Sequence, residues 1–102
     1  MATYQILYWH DLPAQVRANE GRGRNAERAS VELPQRFQEA IDSAAMLAGL
    51  IGSDDYTNAF NWGEPQTREG TPQAVARAVA DELDVQFNEI DWRATVEKIR
   101  AR

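Results

Sequence analysis

His10 followed by Asp11 is the one place in this chain where an imidazole has a carboxylate as its sequence neighbour. A general base needs an orienting partner within hydrogen-bond reach, and Tyr8 and Trp9 just before the pair would supply an apolar wall for a small pocket. No serine or cysteine nucleophile is tied to it, so a turn histidine at a strand end is the stronger reading and no catalytic residue is assigned. Arg17, Arg22, Arg24 and Arg28 surround Gly21 and Gly23. Guanidinium forks match planar oxyanions and glycines free backbone amides, so this cluster is a candidate for phosphate, a small anionic ligand or an acidic partner. It is not a phosphate-binding glycine loop, because the GK(S/T) ending is missing and the run lies between strands. Glu20 and Glu27 dilute its charge, and a solvated hairpin loop is the competing reading.

The aromatic residues Trp9, Tyr56, Phe60 and Trp62 would fill a core. Three tryptophans are nevertheless many for 102 residues, and tryptophan and arginine dominate binding hot spots, which makes an aromatic patch around Phe60 and Trp62 a candidate partner surface. The loop carboxylates Asp54, Asp55 and Glu64 match no calcium-loop spacing, so no metal is assigned, and nothing implies a cofactor.

Composition limits what can position these groups. At 102 residues, 43% of them hydrophobic and 26% charged, the chain has the make-up of one globular domain. The absence of cysteine excludes disulfides, thiolate nucleophiles and sulfur-ligated zinc. A net charge of -5 argues against nucleic acid, whose binding needs lysine and arginine to displace condensed counterions. The longest apolar run, 44–51, is far too short to span a bilayer, and the N-terminal residues lack the pattern of a secretory signal, so a cytoplasmic location without membrane contact is expected.

Alternation of apolar and polar residues predicts strands over 3–9, 14–19 and 29–33, joined by hairpins at 10–13 and 20–28. Matching the apolar faces of the second and third strands sets Val16 opposite Val31 and Arg17 beside Ser30. Pro34 suits a first helical position, and Phe37, Ala40, Ile41, Ala44, Leu47, Ala48 and Ile51 fall on one side of the helix that follows. Met46 and Leu50 fall on the other side and have no assigned cover, which makes that end a candidate docking surface. Segment 56–64 reads as a strand around 59–64, although Ser53 with Asp54 and Asp55 also forms a helix start. Residues 65–70 read as loop. Thr71 and Pro72 open a second helix with a core stripe of Val75, Val79 and Leu83, and Asp91 caps a short terminal helix bearing Trp92, Val96 and Ile99. The expected class is α+β: an antiparallel sheet of three to four strands with two main helices on one face, in the order βββαβα. Residues 1–86 form the domain, and 87–102 a C-terminal tail with helical character.

The runs YWHDLPAQV, RASVELPQRFQEAIDSAAM, GSDDYTNAFNWGEP and EGTPQAVARAVADELD resemble the small bacterial "virulence factor" domain family over 3–84. That family also occurs as one module of larger conserved virulence factors of Gram-positive bacteria, and the resemblance implies a domain that works with other proteins. It brings no catalytic residues, and its biochemical activity is undefined. The favoured function is a non-enzymatic interaction domain that binds a protein partner or a second copy of itself, through the apolar end of the first helix and the tryptophan-bearing strand. An accessory subunit or small enzyme using Tyr8 to Asp11 stands second, and anion binding at the arginine hairpin third.

Overall fold

Alternation builds the sheet as expected. Ala2–Trp9 (β1), Leu12–Glu20 (β2) and Glu27–Glu32 (β3) form an antiparallel meander in the computed structural model, which describes residues 1–21 and 26–101. Val16 pairs with Val31 and Arg17 with Ser30, the register that matching the apolar faces requires. The first turn is tighter than predicted: β2 already begins at Leu12, which pairs with Trp9, leaving His10 and Asp11 to reverse the chain. His10 takes the left-handed conformation this needs, with φ 55°, one that histidine adopts more readily than branched residues do. Leu7 pairs with Gln15 but Tyr8 with Pro13, so Ala14 is an extra residue on β2. This bulge brings Leu12, rather than Pro13, opposite Trp9, and both are buried.

Segment 53–62 satisfies both readings in turn. Asp54–Asn58 forms a short helix (α2), and Phe60–Trp62 a strand (β4) on the edge of β1 away from β2. The loop expected at 65–70 is corrected: Gln66–Arg68 (β5) also pairs with β1, at its start. Three residues are too few for periodicity to reveal such a strand. Leu7 pairs with Trp62 and Tyr4 with Gln66, so three residues, 63–65, lie opposite only Gln5 and Ile6. The chain bulges there, where Pro65 has no amide to contribute. Gly63 packs closely at this bulge: a Cβ would stand 3.3 Å from Tyr8 Cε2, tight enough that the Tyr8 ring would have to shift by a few tenths of an ångström.

Gln35–Leu47 (α1) follows Pro34, which sits at the N-cap with extended ψ 152° instead of one position further in. Pro72–Gln86 (α3) starts as predicted, the Thr71 side chain accepting the Ala74 amide at 3.2 Å. Val75, Ala76, Val79, Ala80 and Leu83 of α3 pack on one sheet face with Ala2, Val16, Ala18 and, from α1, Phe37. Further along α1, Ile41, Ala44 and Ala45 join a second cluster with Trp9, Leu12 and Val96. Val96 belongs to Trp92–Arg100 (α4), capped by Asp91 as predicted. Leu47 and Ile51, placed on the core side by helical projection, are instead 48% and 53% exposed. Leu47 ends the helix beyond its covered turns, and Gly49, at φ 74°, redirects the chain before Ile51.

Arg36, at the start of α1, fixes α1 against the far end of α3. Its guanidinium donates to the carbonyls of Phe87 (2.6 Å) and Asp84 (2.8 Å) and to the Asp84 carboxylate. Those are the carbonyls that a helix C-terminus leaves unsatisfied. Arg68 and Glu82 make a second tie, at 2.7 Å, between β5 and α3. Among the described residues no helix is long and apolar enough to cross a membrane.

Candidate functional site

The pleat that sends Ala2, Val16, Ala18 and Val31 toward α3 sends their neighbours to the opposite face. Gln5, Arg17 and Ser30 stand side by side across the three strands of the meander, with Asn19 and Arg28 as the next pair. These residues are half-buried or exposed and, with Trp62, line an open concavity of about 740 Å³. At the other end of the same face Leu7, Gln15, Glu32 and Phe60 border a second hollow, beside Gln35 and Gln38 of α1.

Within the larger concavity the polar groups are fixed to one another. The Gln5 side-chain amide donates to the Gly63 carbonyl at 3.0 Å, which orients its oxygen toward Arg17. That oxygen accepts from Arg17 Nε at 3.1 Å and from Nη2 at 2.7 Å. The guanidinium carbon lies 3.8 Å from the centroid of Trp62, a stacking contact worth about 0.5–1 kcal/mol at an exposed site. Of the five N–H donors of an arginine, Gln5 takes the pair along the Nε edge and leaves the outer Nη1 and Nη2 edge. Among the described residues no carboxylate pairs with Arg17 or Arg28. Arg22 and Arg24, the other members of the predicted arginine cluster, lie outside the described residues.

The structure thus joins two groups that the sequence kept apart, since Arg17 came from the arginine cluster and Trp62 from the aromatic one. Gln5, which links them, and Ser30 between Arg17 and Arg28 carry no motif. The register of β1 against β2 would have exposed Gln5, because it sets Gln5 directly opposite Arg17.

The other candidates lie elsewhere. Trp9 is fully buried, its indole N–H donating to the Tyr56 carbonyl at 3.0 Å. His10 meets the Trp9 ring edge-on with centroids 4.6 Å apart. Asp11 binds α4, accepting from Thr95 Oγ1 and, at 2.7 Å, from Lys98 Nζ. Phe60 is half-buried, edge-on to Tyr56 at 5.6 Å. Leu50 packs into the second core cluster, whereas Met46 is 70% exposed. Asp54 and Asp55 are exposed in the first turn of α2.

Partial burial pushes the Asp11 carboxyl up, but the hydrogen bonds from Lys98 and Thr95, with the Lys98 charge, outweigh it and hold the group below its ordinary value. A carboxyl whose pKa is lower in the folded state contributes stability that is present above its unfolded value and lost as the pH falls through the folded one. Lys98, raised by the same contact, is its other end and not a second contribution. Because Asp11 and Lys98 are 46% and 70% exposed, the effect is small. Asp11→Asn keeps the shape and removes the charge. Thermal melts between about pH 5 and pH 2 should show a flatter stability profile for this variant than for the parent chain. Parallel profiles would remove Asp11 from the acid response.

A meander with α3 packed on one face and, on the other, a polar concavity edged by a fixed arginine–tryptophan pair defines a small α+β domain. Residues 7–96 match the family model described as "Virulence factor", and the chain belongs to that family. Comparison with curated proteins and with solved structures gave no match.

Proposed function

We propose that this chain is a non-enzymatic protein-interaction domain whose docking face is the open side of its sheet. The observation that carries the reading is the guanidinium of Arg17, held by Gln5 and stacked on Trp62 in a solvent-open concavity. Ordering a long side chain before a partner arrives removes part of the entropy cost of binding, and arginine and tryptophan are the residues on which interfaces most depend. Asp11 supports this choice over an enzyme at the first turn, because both of its oxygens are engaged by α4. Family membership fits a virulence-related role, which describes an outcome in the organism and leaves the molecular task to the site.

Site-specific photo-crosslinking tests the reading. A crosslinking residue in place of Ser30, on the open face, should trap discrete adducts in extract of the source cells. The same residue in place of Gln73, exposed on α3, should not. Arg17→Ala should abolish the adducts formed at position 30. Identical patterns at the two positions, or none at either, would sink the proposal.

A further inference from the structure

Resting on that reading, we infer that the open face receives an extended, acidic segment of a partner protein, with two carboxylates spaced acid-x-acid. Arg17 pairs directly with Ser30, so Arg28, two residues before it on β3, is the diagonal neighbour of Arg17 on the same face. Diagonal neighbours in an antiparallel pair lie roughly 7–8 Å apart. Side chains two apart on an extended segment point the same way and are separated by about 6.6–6.8 Å. Those spacings describe the strand positions. The Arg17 guanidinium is held toward Gln5 and Trp62, so the exposed Arg28 side chain is the one that reaches across for one carboxylate to meet each guanidinium. Arg17 offers its outer edge, where two parallel N–H donors match a carboxylate in a fork-to-fork pair. Ser30 and Asn19, exposed between and beside the two arginines, supply a hydroxyl and an amide for the backbone of the segment.

The charge pattern favours this partner over a polynucleotide. Arg17 and Arg28 are positive and unpaired among the described residues, yet the whole chain carries -5, which repels a long polyanion more than a short acidic segment. Glu32, the acidic residue on this face of β3, follows Ser30 on the side away from Arg28. It confines the acidic segment to the half of the face that holds Arg17, Arg28 and Asn19.

The test is an amide NMR titration of the full chain with three capped eight-residue peptides that centre on Glu-Thr-Glu, Gln-Thr-Gln or Glu-Thr-Thr-Glu. The first should shift the Gln5 side-chain amide, the Trp62 indole N–H and the Ser30 amide, and bind at least tenfold more tightly than the glutamine peptide. The longer spacing turns its acids to opposite sides of an extended chain and should cost about fivefold. Arg17→Ala and Arg28→Ala should each weaken the first peptide about tenfold. Arg28 is exposed, so its variant reports on binding even where loss of Arg17 disturbs Trp62. Equal binding of the glutamine peptide, no binding of any peptide, shifts confined to another surface, or tighter binding of a single-stranded oligonucleotide would overturn the inference. If crosslinking at position 30 still traps a protein, the docking face stands and only the acidic chemistry falls.

Discussion

Trp9→Ala is expected to destabilise the protein by about 3–5 kcal/mol, the usual cost of removing a buried tryptophan. Trp9 is 0% exposed and heads the large fully buried side chains of the chain. It closes the end of the sheet beside Leu12, and packs with Ile41, Ala44 and Ala45 of α1 and Val96 of α4. The indole also holds the α2 segment through the Tyr56 carbonyl, at 3.0 Å. Alanine would leave both a cavity between elements that cannot easily collapse and a carbonyl without its donor. Trp9→Phe separates the two effects, since it keeps most of the packing and loses the hydrogen bond, for which about 1–3 kcal/mol is expected. Urea denaturation followed by circular dichroism measures both variants. A loss below about 1 kcal/mol for the alanine variant would mean that the second cluster contributes little to the fold.

The parts of this structure that were legible in the sequence are the ones set by local rules. Thr71 and Pro72 announce a helix start because a cap and a missing amide are properties of adjacent residues. The register of β2 and β3 follows from two alternating runs joined by one hairpin, and Val16 opposite Val31 was available from parity alone. What escaped depends on register carried over long separations or on single inserted residues. Arg17 and Trp62 meet only because β4 returns to β1 at Leu7, next but one to Gln5, across a chain separation that includes α1 and α2. The bulges at Ala14 and around Gly63 break the period-two pattern within runs too short to show it. Arg36 left no sign either. Its target carbonyls belong to the end of α3, and no side-chain pattern marks a backbone acceptor.

Removal of α4 is the second change with a large expected effect. The apolar pattern weakens after Asp84 and the runs that resemble the family end there, which sets the domain at 1–86 and leaves 87–102 as a tail. Yet Val96 is 1% exposed in the cluster of Trp9, and Trp92 and Ile99 border the same cluster. Burying one such apolar side chain contributes about 1.5–3 kcal/mol. One fully buried valine and two partly buried residues therefore give an upper estimate of about 3–5 kcal/mol. Thr95 and Lys98 add their bonds to Asp11, and Arg100 donates to the Leu47 carbonyl at 2.9 Å, so the helix grips the first turn and the end of α1 together. A chain ending at Ile90 should consequently melt roughly 15–30 °C below the full chain, as expected when a domain of this size loses that much stability. Thr95→Val in the full chain should lose far less, because it removes a hydrogen bond and keeps the packing. A truncated chain that melts within a few degrees of the full one would make residues 1–90 self-sufficient and α4 an appended tail. The expected loss would instead place the helix inside the folding unit, because it supplies the wall that keeps water from Trp9.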